Sequence, residues 1–295
     1  MAVLGSKLDL FLIESDEMNV FSGRNEDEIS EELSRMLRSS GDAYVEADSI
    51  GSIRNRLEAG SRALLGSGNR IVREMRSIKD KEEIDLLRRS AELAKRGMAA
   101  ALDEAKAGVT EKEIARRAHV EMIESGADEM AFEISVGSGW RASLPHALPT
   151  DKKVQEGELV TIDLGAELDH YRSDMTRTVA IGSVSSRECN VLEAVKGAYD
   201  ETVKDVAAGV KASDLASKAD RMIATSGFSE WILHGLGHGV GLEIHEDPTL
   251  NTKSVDRLEP GNVVTIEPGI YLRGDTGARW ENTVLVKENG YDVLT

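Results

Sequence analysis

The chain has 295 residues, 36 basic and 53 acidic, for a formal net charge of −17, which argues against nucleic-acid or anionic-membrane partners because both attract basic faces. With 40 % hydrophobic and 30 % charged residues it has globular rather than disordered composition, and its length suits about two domains. Its one cysteine, Cys189, excludes an internal disulfide; no apolar run approaches the roughly 20 residues of a membrane span, and the N-terminal run is broken by Lys7 and Asp9, making a poor signal peptide. These features predict a soluble, cytoplasmic protein.

In chain order, LDLFLI (8–13) reads as a short buried strand, 26–38 as a helix with acids in its first turn and Arg35 and Arg38 in its last, and AYVEA (43–47) as a second strand. Residues 53–64 read as helical, with Gly66 and Gly68 ending that unit, and IVREM (71–75) as a third strand. The first 77 residues are thus expected to form a small α/β domain without site chemistry, and 78–295 a second domain. Residues 79–108 give the clearest helix: Ile84, Leu87, Ala91, Ala94, Met98, Ala101, Leu102 and Ala105 keep the spacing of one buried face, and Gly108 suits a C-cap. Thr110 and Glu113 form a capping box for a helix to Ser125, stopped by Gly126, and further helices are expected at 187–207 and 211–226.

All five prolines and five of the six histidines lie beyond residue 130, which marks the second part as the site-bearing one. That part repeats itself. EGELVTIDLGA (156–166) and PGNVVTIEPGI (260–270) align at an offset of 104 and set Asp163 opposite Glu267. Downstream, Arg172-Ser-Asp174-Met-Thr176 resembles Arg279-Trp-Glu281-Asn-Thr283. Each copy is an apolar strand ending in an acid, then a strand with Arg-x-acid-x-Thr and an apolar tail. A duplication of this kind predicts a pseudo-twofold sheet with four acids converging at its centre. Most acids in so acidic a chain are solvated surface charges, but these four interrupt strands that should be buried, where a carboxylate must be paired or metal-bound. Arg172 and Arg279 are one possible set of partners, giving two structural ion pairs. The other reading draws on the segment LHGLGHGVGLEIHEDP (233–248), where His234, His238 and His245 stand among glycines between the two copies. It lacks the signatures of a P-loop and of a zinc-binding helix. Four carboxylates and an imidazole are too many ligands for one structural zinc; they suit two divalent ions about 3.5–4 Å apart, as in metal-assisted hydrolysis. Oxygen-rich ligands favour Mn²⁺, with Co²⁺, Fe²⁺ or Zn²⁺ as alternatives. Cys189 and His119 carry bland expectations, the first as a small packing residue and the second on a helix surface. Trp140 and Trp231 suit either the pocket or the core.

Several stretches carry a family likeness: LPHALPTDK (144–152), VTIDLGAELDHYRSDMTRTVAIG (160–182), HGLGHGVGLEIHEDP (234–248), EPGNVVTIEPGIYL (259–272) and GARWENTVLV (277–286). Together they resemble the creatinase/aminopeptidase, or pita-bread, superfamily over roughly 78–295, and within it the Xaa-Pro peptidases, aminopeptidase P and prolidase. The resemblance implies an α+β fold with a curved, mainly antiparallel sheet and helices outside, behind a small α/β N-terminal domain. It implies metal ligation by Asp163, Asp174, His238, Glu267 and Glu281, with Asp174 and Glu281 bridging two ions and Glu267 also moving a proton. It further implies that His146 and His245 contact the substrate, that His234 and Arg279 line the proline pocket or brace the site, and that Tyr271 stands behind the ligands. The implied substrates are short proline-containing peptides, and a homodimer is the expected assembly. Methionine or general aminopeptidases of this fold usually show Cys-Gly-His-Gly; here Leu236 precedes Gly237-His238, and Arg279 also favours the Xaa-Pro branch. Metal-free creatinase-type hydrolases and non-enzymatic pita-bread binding proteins lack ligands that are all present here. Some dipeptidases of the family carry Arg after His-Glu-x-Pro, where this chain has Thr249, and His170 stands where Gly is usual.

Overall fold

The computed structural model describes residues 9–14, 17–22, 43–45 and 65–295. Backbone contacts divide the chain into two compact units, Met1–Met75 and Arg76–Thr295. In the first, β1 (Asp9–Glu14) pairs antiparallel with β2 (Glu17–Ser22), and β3 (Ala43–Val45) pairs parallel with β4 (Leu65–Ser67). The helices expected at 26–38 and 53–64 lie outside the described residues. The expected strand at 71–75 is instead part of a helix, α1 (Gly68–Ser77). A short apolar run does not reveal its period by itself. Here Ile71 and Met75 stand four apart, the spacing of one helix face. Gly66 lies within β4 and Gly68 begins α1, and the helical unit they were expected to end lies outside the described residues.

The second unit begins with two helices. In α2 (Lys81–Glu104) the Asp80 side chain accepts from the amides of Glu82 and Glu83, and Glu83 answers Asp80 to complete a capping box. Its cap at the far end is Ala105; Gly108 takes its left-handed φ of 93° in the turn beyond rather than at the cap. The Thr110–Glu113 box opens α3 (Glu111–Glu124) as its spacing predicts, and Gly126 follows with φ 107°. The strands β5 (Glu129–Met130), β6 (Ser135–Ser138), β7 (Leu159–Leu164), β8 (Ala166–Leu168), β9 (Tyr171–Arg172) and β10 (Met175–Ala180) follow. They form two three-stranded antiparallel sheets, ordered β10-β7-β6 and β5-β8-β9. The turn between β8 and β9 places His170 at φ 70°, a left-handed conformation that glycine adopts most easily.

The pattern then repeats. Two helices, α4 (Ser186–Val203) and α5 (Ala212–Thr225), precede β11 (Gly237–Gly239), β12 (Glu246–Leu250), β13 (Val263–Ile266), β14 (Gly269–Leu272), β15 (Thr276–Arg279), β16 (Asn282–Val286) and β17 (Tyr291–Val293). Five of these strands form one sheet, β12-β11-β13-β16-β17, and β14 pairs with β15. Each helix pair covers its own sheet. Met98, Ile114 and Met122 pack on Val136, Ile162 and Leu164, whereas Val206, Leu215 and Ala219 pack on Leu236, Val264 and Val284. Burying such faces supplies most of the stabilisation, at about 25 cal/mol per Å² of apolar area. Cys189 is exposed in the first turn of α4, not packed. His119 is exposed on α3 as expected.

Candidate metal centre

The duplicated acids meet where the two halves abut. β7 and β10 pair so that Asp163 faces Thr176, and β13 and β16 pair in the matching orientation, with Ile266 facing Asn282. Asp163 is therefore near the end of one apolar strand and Glu267 just past the end of the other, while Asp174 and Glu281 precede β10 and β16. The strands place all four carboxyls on a shared face. Asp163, Asp174 and Glu281 are 7 %, 6 % and 2 % exposed.

Metal-ligating atoms of Asp174, His238 and Glu281 all lie within 4.8 Å of one another. His238 Nε2 stands 3.3 Å from Glu267 Oε1 and 3.7 Å from Asp174 Oδ2. The short β11 positions His238: its backbone amide donates to Thr265 Oγ1 at 3.0 Å, and that hydroxyl donates to Glu267 Oε1 at 3.2 Å. Gly237 makes this approach possible, because a β-carbon there would sit 2.1 Å from the Thr265 carbonyl oxygen.

Arg279 joins the halves. Its guanidinium is buried and donates to Asp163 Oδ2 at 2.7 Å, Tyr271 Oη at 2.8 Å, Thr176 Oγ1 at 2.9 Å and the Pro145 carbonyl at 2.9 Å. Thr176 Oγ1 in turn donates to Glu281 Oε2 at 2.7 Å. Tyr271 Oη lies 2.6 Å from His234 Nε2, and His234 Nδ1 lies 2.7 Å from the Gly235 carbonyl. The carbonyl can only accept, so Nδ1 carries the ring proton and Nε2 accepts from the tyrosine. Arg172, the repeat's counterpart of Arg279, pairs with Glu167 instead, so the two-ion-pair reading of the motif does not hold.

Burial pushes the carboxyls of Asp163 and Asp174 up, Asp174 furthest because Glu281, Asp163 and Glu267 add repulsion. Burial and the same repulsion push Glu281 up to about 8. Glu267 goes the other way. Burial would raise it, but His238, His234 and Arg279 outweigh that and hold it at about 2. Burial would lower His238, yet Glu267 raises it to about 8. Three buried acids and the partly buried Glu267 share one guanidinium, and Asp163 Oδ1 has no hydrogen-bond partner among the described residues, so the cluster holds more acid groups than its basic partners can neutralise once they ionise. Oxygen donors with one imidazole fit hard or borderline divalent cations. The residues fit a metal centre.

Of the other expected site residues, His245 lies edge-on to His238 with ring centroids 4.3 Å apart. His146 is exposed and follows the Pro145 that Arg279 holds. Its segment is tied at both ends by Glu111, which accepts from the amides of Ser138 at 2.9 Å and Thr150 at 3.0 Å and pairs with Arg141 Nε at 3.0 Å. Trp231 packs on the α4–β14 core, whereas Trp140 is exposed beside Arg141. The threonines that orient the acids, Thr176 and Thr265, were not singled out by sequence reasoning. Their signal was present, since each lies in the repeated motif.

Two helix pairs, each over an antiparallel sheet, with paired acids converging at the seam, define the pita-bread class of metallopeptidase fold. The chain belongs to Metallopeptidase family M24, whose profile matches residues 85–288. It is 40 % identical over 225 residues to an Xaa-Pro dipeptidase of Pyrococcus furiosus, a match covering 76 % of this chain and 65 % of that protein. It therefore spans just under two thirds of such curated relatives. Among solved structures it is similar to the prolidase from Pyrococcus horikoshii OT3, at 32 % identity and a TM-score of 0.86 over 97 % of this chain and 87 % of that one. It is equally similar to the X-Pro aminopeptidase from Thermotoga maritima MSB8, at 30 % identity and a TM-score of 0.87 over 99 % and 87 % of the two chains. No described helix is long and apolar enough to cross a membrane.

Proposed function

We propose that this chain is a dinuclear metal-dependent Xaa-Pro peptidase, hydrolysing the bond between an N-terminal residue and proline in short peptides. The observation that carries it is the donor cluster of Asp174, His238 and Glu281 within 4.8 Å, flanked by Glu267 and Asp163. Asp163, Asp174, His238, Glu267 and Glu281 are the proposed ligands, and Mn²⁺ or Co²⁺ the proposed ions. Bound divalent ions supply Lewis acidity to the scissile carbonyl and to the attacking water. Glu267 is ionised across the neutral range, so it can accept the proton released as the water oxygen bonds to the carbonyl carbon. That proton passes to the proline nitrogen as the carbon–nitrogen bond breaks. His146 and His245 orient the amide and donate toward the developing oxyanion. The His234–Tyr271–Arg279–Asp163 chain of hydrogen bonds braces the acids and closes one wall of the proline pocket.

His234 and Thr249 also line a cavity of about 670 Å³. This room supports acceptance of peptides longer than a dipeptide. The lone cysteine, which permits no internal disulfide, supports a cytoplasmic location, and the expected assembly is a homodimer.

The test is hydrolysis of Ala-Pro and of Ala-Pro-Pro by a Mn²⁺-loaded sample beside an EDTA-treated one. Cleavage of either, abolished by EDTA, supports the reading, and the ratio assigns dipeptidase or aminopeptidase action. Cleavage that survives EDTA, or no cleavage by a sample holding two metal ions, refutes it.

A further inference from the structure

His245 stands on an exposed stretch between β11 and β12, and its ring makes no hydrogen bond to the described residues; its contact is the edge of His238. Something else must fix it. The next residue, Glu246, points the other way, and its side chain is 5 % exposed. One carboxylate there gathers an unusual set of donors. Lys79 Nζ donates to Oε2 at 2.9 Å, Arg76 Nε to Oε1 at 3.1 Å, Arg76 Nη2 to the same oxygen, and the Glu243 amide to Oε1 at 3.1 Å. Arg76 also stands 3.4 Å from Glu243. The loop is thereby folded back on itself, and the Gly241 amide closes it by donating to the Glu243 carbonyl at 3.1 Å. Gly241 leaves no room for a side chain, since a β-carbon there would meet Glu246 Oε2 at 2.5 Å. Across the ladder Glu246 faces Gly239, the residue after His238.

The cations are themselves fixed. The Lys79 side chain is 1 % exposed. Its amide donates to the Gly261 carbonyl at 2.9 Å, and Asn262 Nδ2 donates to the Ser77 carbonyl at 2.9 Å, so the segment is pinned at the entrance to β13. Burying an ammonium and a carboxylate together is a poor way to gain stability, because desolvation consumes most of the attraction. It is an effective way to hold one geometry, because Lys79 on one oxygen and Arg76 with the Glu243 amide on the other fix the carboxylate from both sides. The same device holds His146, the other exposed histidine of the site, whose segment is tied by the buried Glu111.

We propose that Lys79 and Arg76 are positioning residues for the reaction, holding His245 against His238 through the Glu246 carboxylate. This rests on the reading of His245 as a substrate-contacting group. It assigns catalytic consequence to a segment that precedes the first repeat and touches none of the proposed ligands.

The test is a double-mutant cycle of Lys79→Met and His245→Ala in the full chain, with Ala-Pro turnover, melting temperature and bound metal measured for each. Histidine-selective ¹⁵N NMR runs beside it on zinc-treated protein, zinc being diamagnetic, with the His245 signals assigned from His245→Ala. A misplacement approaching 1 Å costs up to about a hundredfold. Lys79→Met is therefore expected to lower kcat about tenfold or more with KM little changed, to leave bound metal unchanged, and to shift or broaden the His245 signals while those of His119 stay in place. In the His245→Ala background Lys79→Met should cost less than about twofold, because the group it positions is gone. A full, additive loss in that background, or His245 signals unmoved by Lys79→Met, overturns the proposal. If Lys79→Met does not fold, Arg76→Gln, at a side chain 27 % exposed, carries the same cycle. If the wild-type protein cleaves no proline peptide, or His245→Ala is fully active, the reading of the site fails, and the NMR arm alone decides whether the clamp holds His245.

Discussion

Gly237→Ala is the sharpest test of how the two ligand-bearing strands are held. The added β-carbon would lie 2.1 Å from the Thr265 carbonyl oxygen and 2.7 Å from its hydroxyl. Contacts below 3.0 Å essentially do not occur, so β11 and β13 must part by about 0.9 Å in an interior that packs like a crystal. Thr265 binds both the His238 amide and Glu267, so the movement separates His238 Nε2 from Glu267 Oε1, now 3.3 Å apart. Metal ligands tolerate displacements of only about 0.2 Å. The substitution should therefore lower kcat/KM about a hundredfold and weaken metal binding with it. Overpacking costs about 1–3 kcal/mol, equivalent to roughly 2–12 °C in Tm for a unit of this size. Calorimetric Mn²⁺ titration, Ala-Pro turnover and thermal melting measure all three. A folded variant with wild-type metal affinity and kcat/KM within about twofold of wild type would refute the reasoning.

Gly197 supplies the contrast: it lies inside α4, a β-carbon there would meet nothing within 4 Å, and Gly197→Ala should raise stability by about 0.5–1 kcal/mol with turnover unchanged, which a urea titration and an activity assay check. Arg279→Met strips the buried partner from Asp163, Tyr271 and Thr176 and should cost about 3–5 kcal/mol; Arg279→Lys should not restore it, because an ammonium lacks the planar fork, and an unshifted melting curve would count against the bracing role. Burial would raise Glu246, but Lys79 and Arg76 hold it below its ordinary value of 4.5. Its contribution to stability is therefore complete above that pH and is lost as the pH falls through the lower folded value; the difference in urea midpoint between wild type and Glu246→Gln should shrink in acid, and a gap constant with pH would exclude the linkage.

The fold was legible where the sequence repeats or caps. The Thr110–Glu113 box, the buried face of α2 and the duplicated strand motif all predicted their elements, because each is a local pattern with one physical solution. IVREM misled because five residues with two β-branched side chains fit either period, and the i, i+4 relation settles it only in context. Gly108 misled in a smaller way, since a positive-φ glycine serves a turn three residues past the cap as well as the cap itself. The convergence of the acids was visible in the 104-residue offset. The difference between the copies was not: Arg172 and Arg279 occupy equivalent motif positions, yet one pairs with Glu167 and the other with Asp163. Which way each arginine turns depends on neighbours such as Tyr271 on the paired strand β14 and Pro145, supplied by a distant part of the chain. Lys79 and Glu246 are 167 residues apart, and no local pattern announces such a pair.

The proposed ligands are divided between the halves. Asp163 and Asp174 come from the first, His238, Glu267 and Glu281 from the second, and Arg279 of the second closes on Asp163 of the first. A chain severed between β10 and α4 would yield two inert pieces, each with an incomplete set of donors. Whatever chemistry the centre performs is thus withheld from any partly synthesised or clipped product until the two halves dock.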